Sequence, residues 1–548
     1  MTGHCVAYVQ AAARVPGCAG GPPLHSFVVP DAPPAPPPVF QRADIRRNDR
    51  RRGARRLLRA GIVVAIVIVV LIAAGIGYAV YRNNQISRIS VPGLIVTPPS
   101  GIENILLVGS TSRCALKQQN PVFGLCSQGV NGVNSDVVML LHLDPNKKTA
   151  AILSIPRDLF VPNARSNGPN KIDAALAQGP KQLVQAVQND LGIPVQHYVE
   201  LNFDSFQGVV NALGGIDMYF PEPVYDAYSQ LNVPTAGCRH LDGFQALAVV
   251  RARHLQYKGP GVTTSNPRYW PQDPQSDLSR IRRDHEFLRV LATAVSQRGL
   301  ANPLTDNSLI GAVAPQLQVD SGLGLGDMVG LVLTFHGVSP TSTPQQTLPV
   351  IVLSSLSYYY NGYDYGNVEL TSQPNDMQVV DNFLGVAPGT DTMTGNPLPS
   401  PGSFTVSVLN GTGRASQAAH TASALQALGF DVIGAGDTSA GGSVSETTVY
   451  YSSPSHLAAA EQVLHGLSGA ATLGRGPTAN GADVTVVTGS NFGVNAPSTP
   501  NSSSGATQGS STQGSSTQGA ALAPPTPPTQ SLALFDPRSC TASGGEGP

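Results

Sequence analysis

The longest apolar stretch of the chain, Ala60 to Tyr81, reads AGIVVAIVIVVLIAAGIGYAVY, with no charge between Arg59 and Arg82. Isoleucine and valine cover every face of a helix drawn through it, unlike the one-sided stripe of a helix lying on a protein core. At about 1.5 Å per residue it reaches about 33 Å, enough to cross a hydrocarbon core of about 30 Å. It is too long for the apolar region of a signal peptide, and no convincing small-x-small cleavage site follows it. A single N-terminal transmembrane helix over 60–81 is predicted.

Beyond a stalk, 82–102, the pattern breaks into short units. NILLVG, VVMLLHLD and TAAILSIP are apolar runs bounded by turn residues and predict buried strands. KIDAALAQGPKQLVQAVQNDLG, FDSFQGVVNALGG and SDLSRIRRDHEFLRVLATAVSQRG carry helical spacing. Their alternation predicts one large α/β domain over 103–385. A Pro/Gly/Thr-rich linker, 386–402, precedes a second unit, 403–492. There FTVSVLNGTG, ASQAAHTASALQALGF, DVIGAG, TTVYYSS, SHLAAAEQVLHGL and ADVTVVTG predict a small β-α-β-β-α-β domain. Residues 493–548, rich in Ser, Thr, Gly, Gln and Pro, predict an extended, mobile tail. The proline-rich residues 1–41 read as disordered, within a cytoplasmic basic segment 1–59.

Charge sets the orientation. Arg42, Arg46, Arg47, Arg50, Arg51, Arg52, Arg55, Arg56 and Arg59 precede the span, against only Asp44 and Asp49. Positive charge stays cytoplasmic, so a single-pass cell-membrane protein is expected, its N-terminus inside and everything after Tyr81 outside. Residues 1–59 hold ten of the 33 basic residues and three of the 34 acids, so the near-neutral total hides an acidic exported part. A basic run could also bind nucleic acid, but beside a span topology explains it, and those 59 residues offer no helix-turn-helix pattern. Cys5 and Cys18 fall inside; Cys114, Cys126, Cys238 and Cys540 fall outside. Cys114 and Cys126 are close enough to staple one loop in an oxidising compartment, while the partners of Cys238 and Cys540 stay open. No CxxC pair points to a thiol zinc site.

No P-loop, GxSxG elbow or HExxH pair is present. What stands out in the large domain is arginine beside carboxylate at segment ends. NILLVG leads into Ser110, Thr111, Ser112 and Arg113; Ser135 and Asp136 open the next strand; Arg157 and Asp158 close the third. Arg251 and Arg253 follow in VVRARH, then Arg280, Arg282, Arg283 and Asp284 on one predicted helix. Arg280 and Arg283 share a face, with Asp284 four residues from Arg280. Guanidinium forks suit phosphate oxygens, and several converging with an aspartate suit a magnesium-pyrophosphate site. A surface ion-pair network would have the same spacing.

NILLVGSTSR, SDVVMLLHLDP, AILSIPRDLF, KIDAAL, GIPVQHYVELNFDSFQGVVNALGGIDMYF, LDGFQALAVVRARH and SDLSRIRRDHEFL resemble the LytR-CpsA-Psr family, in that family's order over about 103–300. VLNGTGRASQAAHTASALQALGFDV resembles the LytR C-terminal domain that often follows it in actinobacteria. The resemblance implies a phosphotransferase that takes a polyprenyl-pyrophosphate-linked glycan, its lipid tail in an apolar groove, and joins the glycan to peptidoglycan at the membrane. It implies that Arg113 and Arg157 clamp pyrophosphate, with Asp136 and Asp158 as the carboxylates of the chemistry and Asp136 at or beside a Mg²⁺. Arg251, Arg253, Arg280, Arg283 and Asp284 would complete the substrate-binding wall. The family's first motif usually reads Gly-Ser-Asp-Ser-Arg; here Gly109-Ser110-Thr111-Ser112-Arg113 puts threonine at the expected metal position. A hydroxyl can ligate Mg²⁺ but brings no charge. The alternative is therefore a catalytically impaired protein that binds such lipid-linked glycans and scaffolds the wall machinery. The lysine-poor, Ala/Val/Gly/Pro-rich composition suggests a high-GC actinobacterium, and the expected cargo is an arabinogalactan-like polymer if the source is mycobacterial, or another secondary wall polymer. The second domain carries no catalytic constellation and reads as a wall- or partner-binding module.

Overall fold

The computed structural model describes residues 77–495, save 79, 99, 118, 298–312, 336, 354, 356 and 439–443, together with 532–540. The expected span over 60–81 and the basic segment before it lie almost wholly outside the described residues. Among the described residues no helix is long and apolar enough to cross a membrane.

The first domain is built on a seven-stranded mixed sheet. Its strands β1 (Ser87–Ile89), β2 (Glu103–Ser110), β3 (Ser135–Asp144) and β4 (Thr149–Ile155) are joined by three later ones. The order is β1, Gln318–Asp320, His197–Leu201, β2, β3, β4, Gln345–Thr347. β2, β3 and β4 pair antiparallel, while the His197–Leu201 strand runs parallel to β2. Both faces are covered, which is why these strands read as unbroken apolar runs. Leu106 and Val108 of β2 and Val138 and Leu140 of β3 point to one face. They meet Leu183 and Val187 of helix Pro180–Leu191 and Phe383 of helix Asn375–Leu384. On the other face Ile105 and Leu143 pack with Val319, and with Leu325 and Met328 of helix Leu325–Phe335. Further along that face Leu107, Val137 and Met139 line a groove instead.

The second domain has a five-stranded sheet ordered Asp431–Asp437, Thr405–Asn410, Val484–Thr488, Thr447–Tyr451, Ala471–Arg475. Helices Gln417–Ala427 and Leu457–His465 occupy the two predicted helical positions. Ala471–Arg475 is one strand more than the sequence pattern predicts. Ala471 and Leu473 join the second domain's core, while the strand is also held to the first domain: Thr472 donates to the Asp190 carbonyl and Arg475 N–H to Asn163 Oδ1.

The expectation of an extended tail over 493–548 needs correction at the described residues 493–495 and 532–540; the rest of that range lies outside the described residues. Phe492–Val494 pairs with Leu467–Gly469, and residues 532–540 pack on the first domain. Arg538–Ser539 adds a strand beside Ile216–Phe220, Phe535 stacks on Tyr257 at 4.1 Å, and Cys540 forms a disulfide with Cys238. Isolated anchors (one phenylalanine, one aspartate, one cysteine) leave no periodic trace in a polar stretch.

Cys114 and Cys126 form the disulfide the loop predicts, with Cα atoms 5.2 Å apart. It closes the loop that carries Phe123 toward Arg113. Replacing both by serine is expected to lower stability by about 2–3 kcal/mol, the loop-closure range for a ring of this size. An unchanged denaturation midpoint would count against a structural role.

Candidate active site

The site forms where β2, β3 and β4 end beneath three helices. Gly109 sits where a Cβ would come within 2.9 Å of the Val137 Cβ, so the two strands approach closely there. Next to it the register slips: Gly109 faces Val137 and Ser110 faces Ser135. Asp136 is thus the extra residue of a β-bulge, turned out of the ladder and onto the groove wall. Asn202 caps helix Phe203–Ala212 by accepting the Ser205 N–H. Asp242 and Gln245 form a reciprocal capping box on helix Gly243–Arg251, which ends by delivering Arg251. The long helix Ser276–Gln297 supplies Arg280 and Asp284.

These elements bring most of the expected residues together. Arg157 Nη1 donates to Asp136 Oδ1 at 2.6 Å, and Nε lies 3.4 Å from both Asp158 Oδ2 and Asp277 Oδ1. Arg253 Nε is 3.1 Å from Asp277 Oδ1. Arg280 Nη2 donates to the Asp136 carbonyl at 2.6 Å and lies 3.3 Å from Asp277. Lys171 Nζ holds Asp158 Oδ1 at 2.9 Å. Arg113 and Arg251 differ from these in having, among the described residues, no carboxylate partner within ion-pair distance. Arg113 donates to the carbonyls of Thr111 and Phe123 and lies over the Phe203 ring. Arg251 sits over Phe123 at 4.9 Å and Phe203 at 4.7 Å, and its buried Nη1 has no hydrogen-bond partner among the described residues.

Arg283 is not part of this wall, contrary to the sequence expectation. Fully buried, it donates to Asp273 Oδ2 at 2.8 Å and to the Ala252 carbonyl at 2.6 Å, with Asp536 at 3.4 Å. Thr111 is a capped strand end: its Oγ1 accepts the Asn134 N–H at 3.0 Å, and it does not line the groove. The sequence reading overlooked Lys171, Asp173 and Asp277. Asp277 alone left a signal, standing three residues before Arg280 at helical spacing.

From this cluster a cavity of about 150 Å³ runs along the sheet. Asp136, Arg251, Arg280 and Asp284 mark one part of its wall, and Met139, Phe206, Leu247, Val250 and Phe287 belong to the rest. Burial pushes the Asp136 carboxyl up, but Arg280 and Arg157 outweigh it and hold the group below the usual carboxylate range. Burial raises Asp284 to about 7, and neither of its oxygens has a hydrogen-bond partner, although Arg280 Nε is 3.8 Å away. Burial likewise raises Asp173 to about 6.

The Asp284 shift gives a stability prediction. Its folded carboxyl binds a proton more tightly than an unfolded aspartate, so its contribution is greatest below about pH 4. That contribution is lost as pH rises through about 7. Asp284→Asn should therefore flatten the fall in stability between pH 4 and 8, gaining most at pH 8. Parallel pH curves for the two proteins would refute this.

Among the described residues no group of three His, Cys, Asp or Glu side chains could enclose a metal ion. Mg²⁺ needs no such cage, since one or two carboxylates plus substrate phosphate oxygens suffice. Asp136, ionised and on the groove wall, fits that requirement; Thr111, buried and off the groove wall, does not.

The α/β domain thus holds an apolar groove with guanidinium groups at one end, surfaces complementary in kind to apolar and anionic groups. Residues 78–376 match the LytR_cpsA_psr family and 403–492 the LytR cell envelope-related transcriptional attenuator domain, and the chain belongs to the LytR-CpsA-Psr family. It is 30% identical over 295 residues to the probable cell wall biosynthesis protein LcpB of Corynebacterium glutamicum, covering 53% of this chain and 63% of that protein. It is also 30% identical over 268 residues to the polyisoprenyl-teichoic acid–peptidoglycan teichoic acid transferase TagV of Bacillus subtilis, covering 47% and 62%. The match thus spans less than two thirds of either relative. A solved LytR-Csp2A-Psr enzyme from Actinomyces oris is 27% identical, with TM-score 0.40, over 48% of this chain and 87% of that one.

Proposed function

We propose that this chain is a membrane-anchored phosphotransferase that joins a polyprenyl-pyrophosphate-linked glycopolymer to peptidoglycan outside the cytoplasm. The observation that carries it is Arg251: a buried guanidinium N–H without a partner among the described residues, held by two phenylalanine rings on the wall of an apolar groove. The apolar lining suits the first units of a polyprenyl tail, and the Arg251 Nη1 donor suits a pyrophosphate oxygen. The name of TagV, a polyisoprenyl-teichoic acid–peptidoglycan teichoic acid transferase, supports the acceptor and donor classes. The apolar stretch 60–81 with its arginine flank supports the anchor and orientation, and two disulfides suit an oxidising compartment. An arabinogalactan-like polymer stays the proposed cargo.

In the reaction an acceptor hydroxyl of peptidoglycan attacks the glycan-bearing phosphorus. The new P–O bond forms as the bond to the bridging pyrophosphate oxygen breaks, and polyprenyl phosphate leaves. Arg113, Arg251 and Arg253 bind the pyrophosphate oxygens, and Arg157 and Arg280 spread the negative charge that builds in transfer. The two groove carboxylates are pushed apart in acidity, which separates their roles. Asp284, near 7 and without a hydrogen-bond partner, accepts the hydroxyl proton. Asp136 stays ionised and would hold Mg²⁺ with the phosphate oxygens, where the ion supplies further charge neutralisation.

The test is transfer of a radiolabelled polyprenyl-pyrophosphate glycan to isolated peptidoglycan by the full chain in detergent, with Arg251→Gln beside it. Labelled wall from the wild type and little from the variant is expected. Tight lipid binding without transfer would leave a binding and scaffolding protein instead.

A further inference from the structure

We propose that Asp536 is a positioning residue for the arginine site, carried in by the 532–540 segment and acting through Arg282 and Arg283. Asp536 is fully buried, an expensive place for a carboxylate without cationic partners. Arg282 Nε donates to its Oδ2 at 2.6 Å, and Arg283 Nη1 lies 3.4 Å from its Oδ1. Both arginines belong to the helix that presents Arg280 and Asp284 to the groove, on another part of its circumference.

The linkage continues to a second element. Arg283 Nη2 donates to the Ala252 carbonyl, and Ala252 stands between Arg251 and Arg253. Asp536 therefore shares with Asp273, whose Oδ2 is the nearer at 2.8 Å, in orienting a guanidinium that ties the site helix to the segment bearing two of the pyrophosphate-facing arginines. The segment is fastened at several other points. Ser539 donates from N–H and Oγ to Glu286 of the same helix, Phe535 stacks on Tyr257, and Cys540 is bonded to Cys238. This is the supporting layer that a charged site needs if its donors are to hold a fixed geometry. Among the described residues the polar partners of the Asp536 carboxylate are Arg282, Arg283 and the Ala533 N–H, none of them in the groove wall, so its influence is indirect.

The inference rests on the proposed phosphotransferase reading for its turnover readout but not for its binding readout. Full-length wild type, Asp536→Ala, Asp536→Glu and the exposed-site control Leu534→Ala are compared for binding of geranylgeranyl pyrophosphate and for glycan transfer. Asp536→Ala, checked as folded by circular dichroism, is expected to bind the probe at least tenfold more weakly and to lose kcat as well. Asp536→Glu is expected to recover most of both, and Leu534→Ala to match the wild type. A purely structural role would lower the unfolding temperature of Asp536→Ala yet leave the folded protein's affinity and kcat unchanged, and that result overturns the proposal. Should Asp536→Ala not fold, Asp536→Asn, which keeps the shape and loses the charge, is judged by the same criteria. Wild type that binds the probe without transferring glycan defeats the phosphotransferase reading, and the binding series then decides this one alone. Wild type that does not bind defeats both.

Discussion

Arg157→Ala is expected to cripple the site and weaken the fold at once. Its guanidinium lies against Asp136, Asp158 and Asp277, with Asp173 at 4.0 Å. Burial disfavours its charge, but those carboxylates raise its pKa still further, so it is a permanent cation. Deleting one partner of a buried charge network typically costs about 3–5 kcal/mol, because the remaining charges keep their desolvation and lose their compensation. The pyrophosphate contact is worth a further loss of about 1.5–3 kcal/mol in binding, roughly ten- to hundredfold in affinity. Arg157→Lys should keep part of the stability but little of the affinity, since an ammonium cannot reproduce the planar fork. Thermal unfolding and polyprenyl-pyrophosphate titration of the three proteins check this. Folded Arg157→Ala with wild-type affinity would mean the pyrophosphate lies elsewhere.

Val250→Asp separates the two ends of the ligand. Val250 lines the groove next to Arg251 and is only partly buried, so the change puts a carboxylate into the tail path without hollowing the core. Each methylene kept out of the groove forfeits about 0.8 kcal/mol, so excluding even two of them costs over tenfold in affinity. Long-chain polyprenyl pyrophosphate should bind at least tenfold more weakly, while inorganic pyrophosphate should lose far less. Equal losses for both compounds would show that the substitution damages the head-group site instead of the tail path.

Much of the first domain was legible because strands covered on both faces announce themselves as apolar runs, and NILLVG, VVMLLHLD and TAAILSIP need no partner to be recognised. Arg113, Asp136, Arg157 and Asp158 were legible for a related reason: a charge at the end of a buried strand has few places to go. Arg283 was misread because helical spacing places it near Arg280, yet spacing cannot tell a groove from the Asp273 and Ala252 acceptors on the neighbouring surface. Asp277 and Lys171 act through residues distant in sequence, so only the folded chain brings them to Arg157, Arg253 and Asp158. The strand Ala471–Arg475 was missed, and part of what holds it, the Asp190 carbonyl and Asn163, comes from the other domain. Asp536 was hidden more deeply still, as a single acid in a stretch whose composition predicts no fixed structure.

The strand Arg538–Ser539 and the buried Asp536 also bear on timing. A ribosome makes Ile216–Phe220 and the Ser276–Gln297 helix long before it reaches residue 536, with the whole 403–492 domain synthesised in between. The first domain must therefore wait with Arg282 and Arg283 lacking one of their carboxylates, and with a sheet edge open, until residues 532–540 have been made. Domains commonly fold in the order of their emergence; here the earlier domain is finished after the later one.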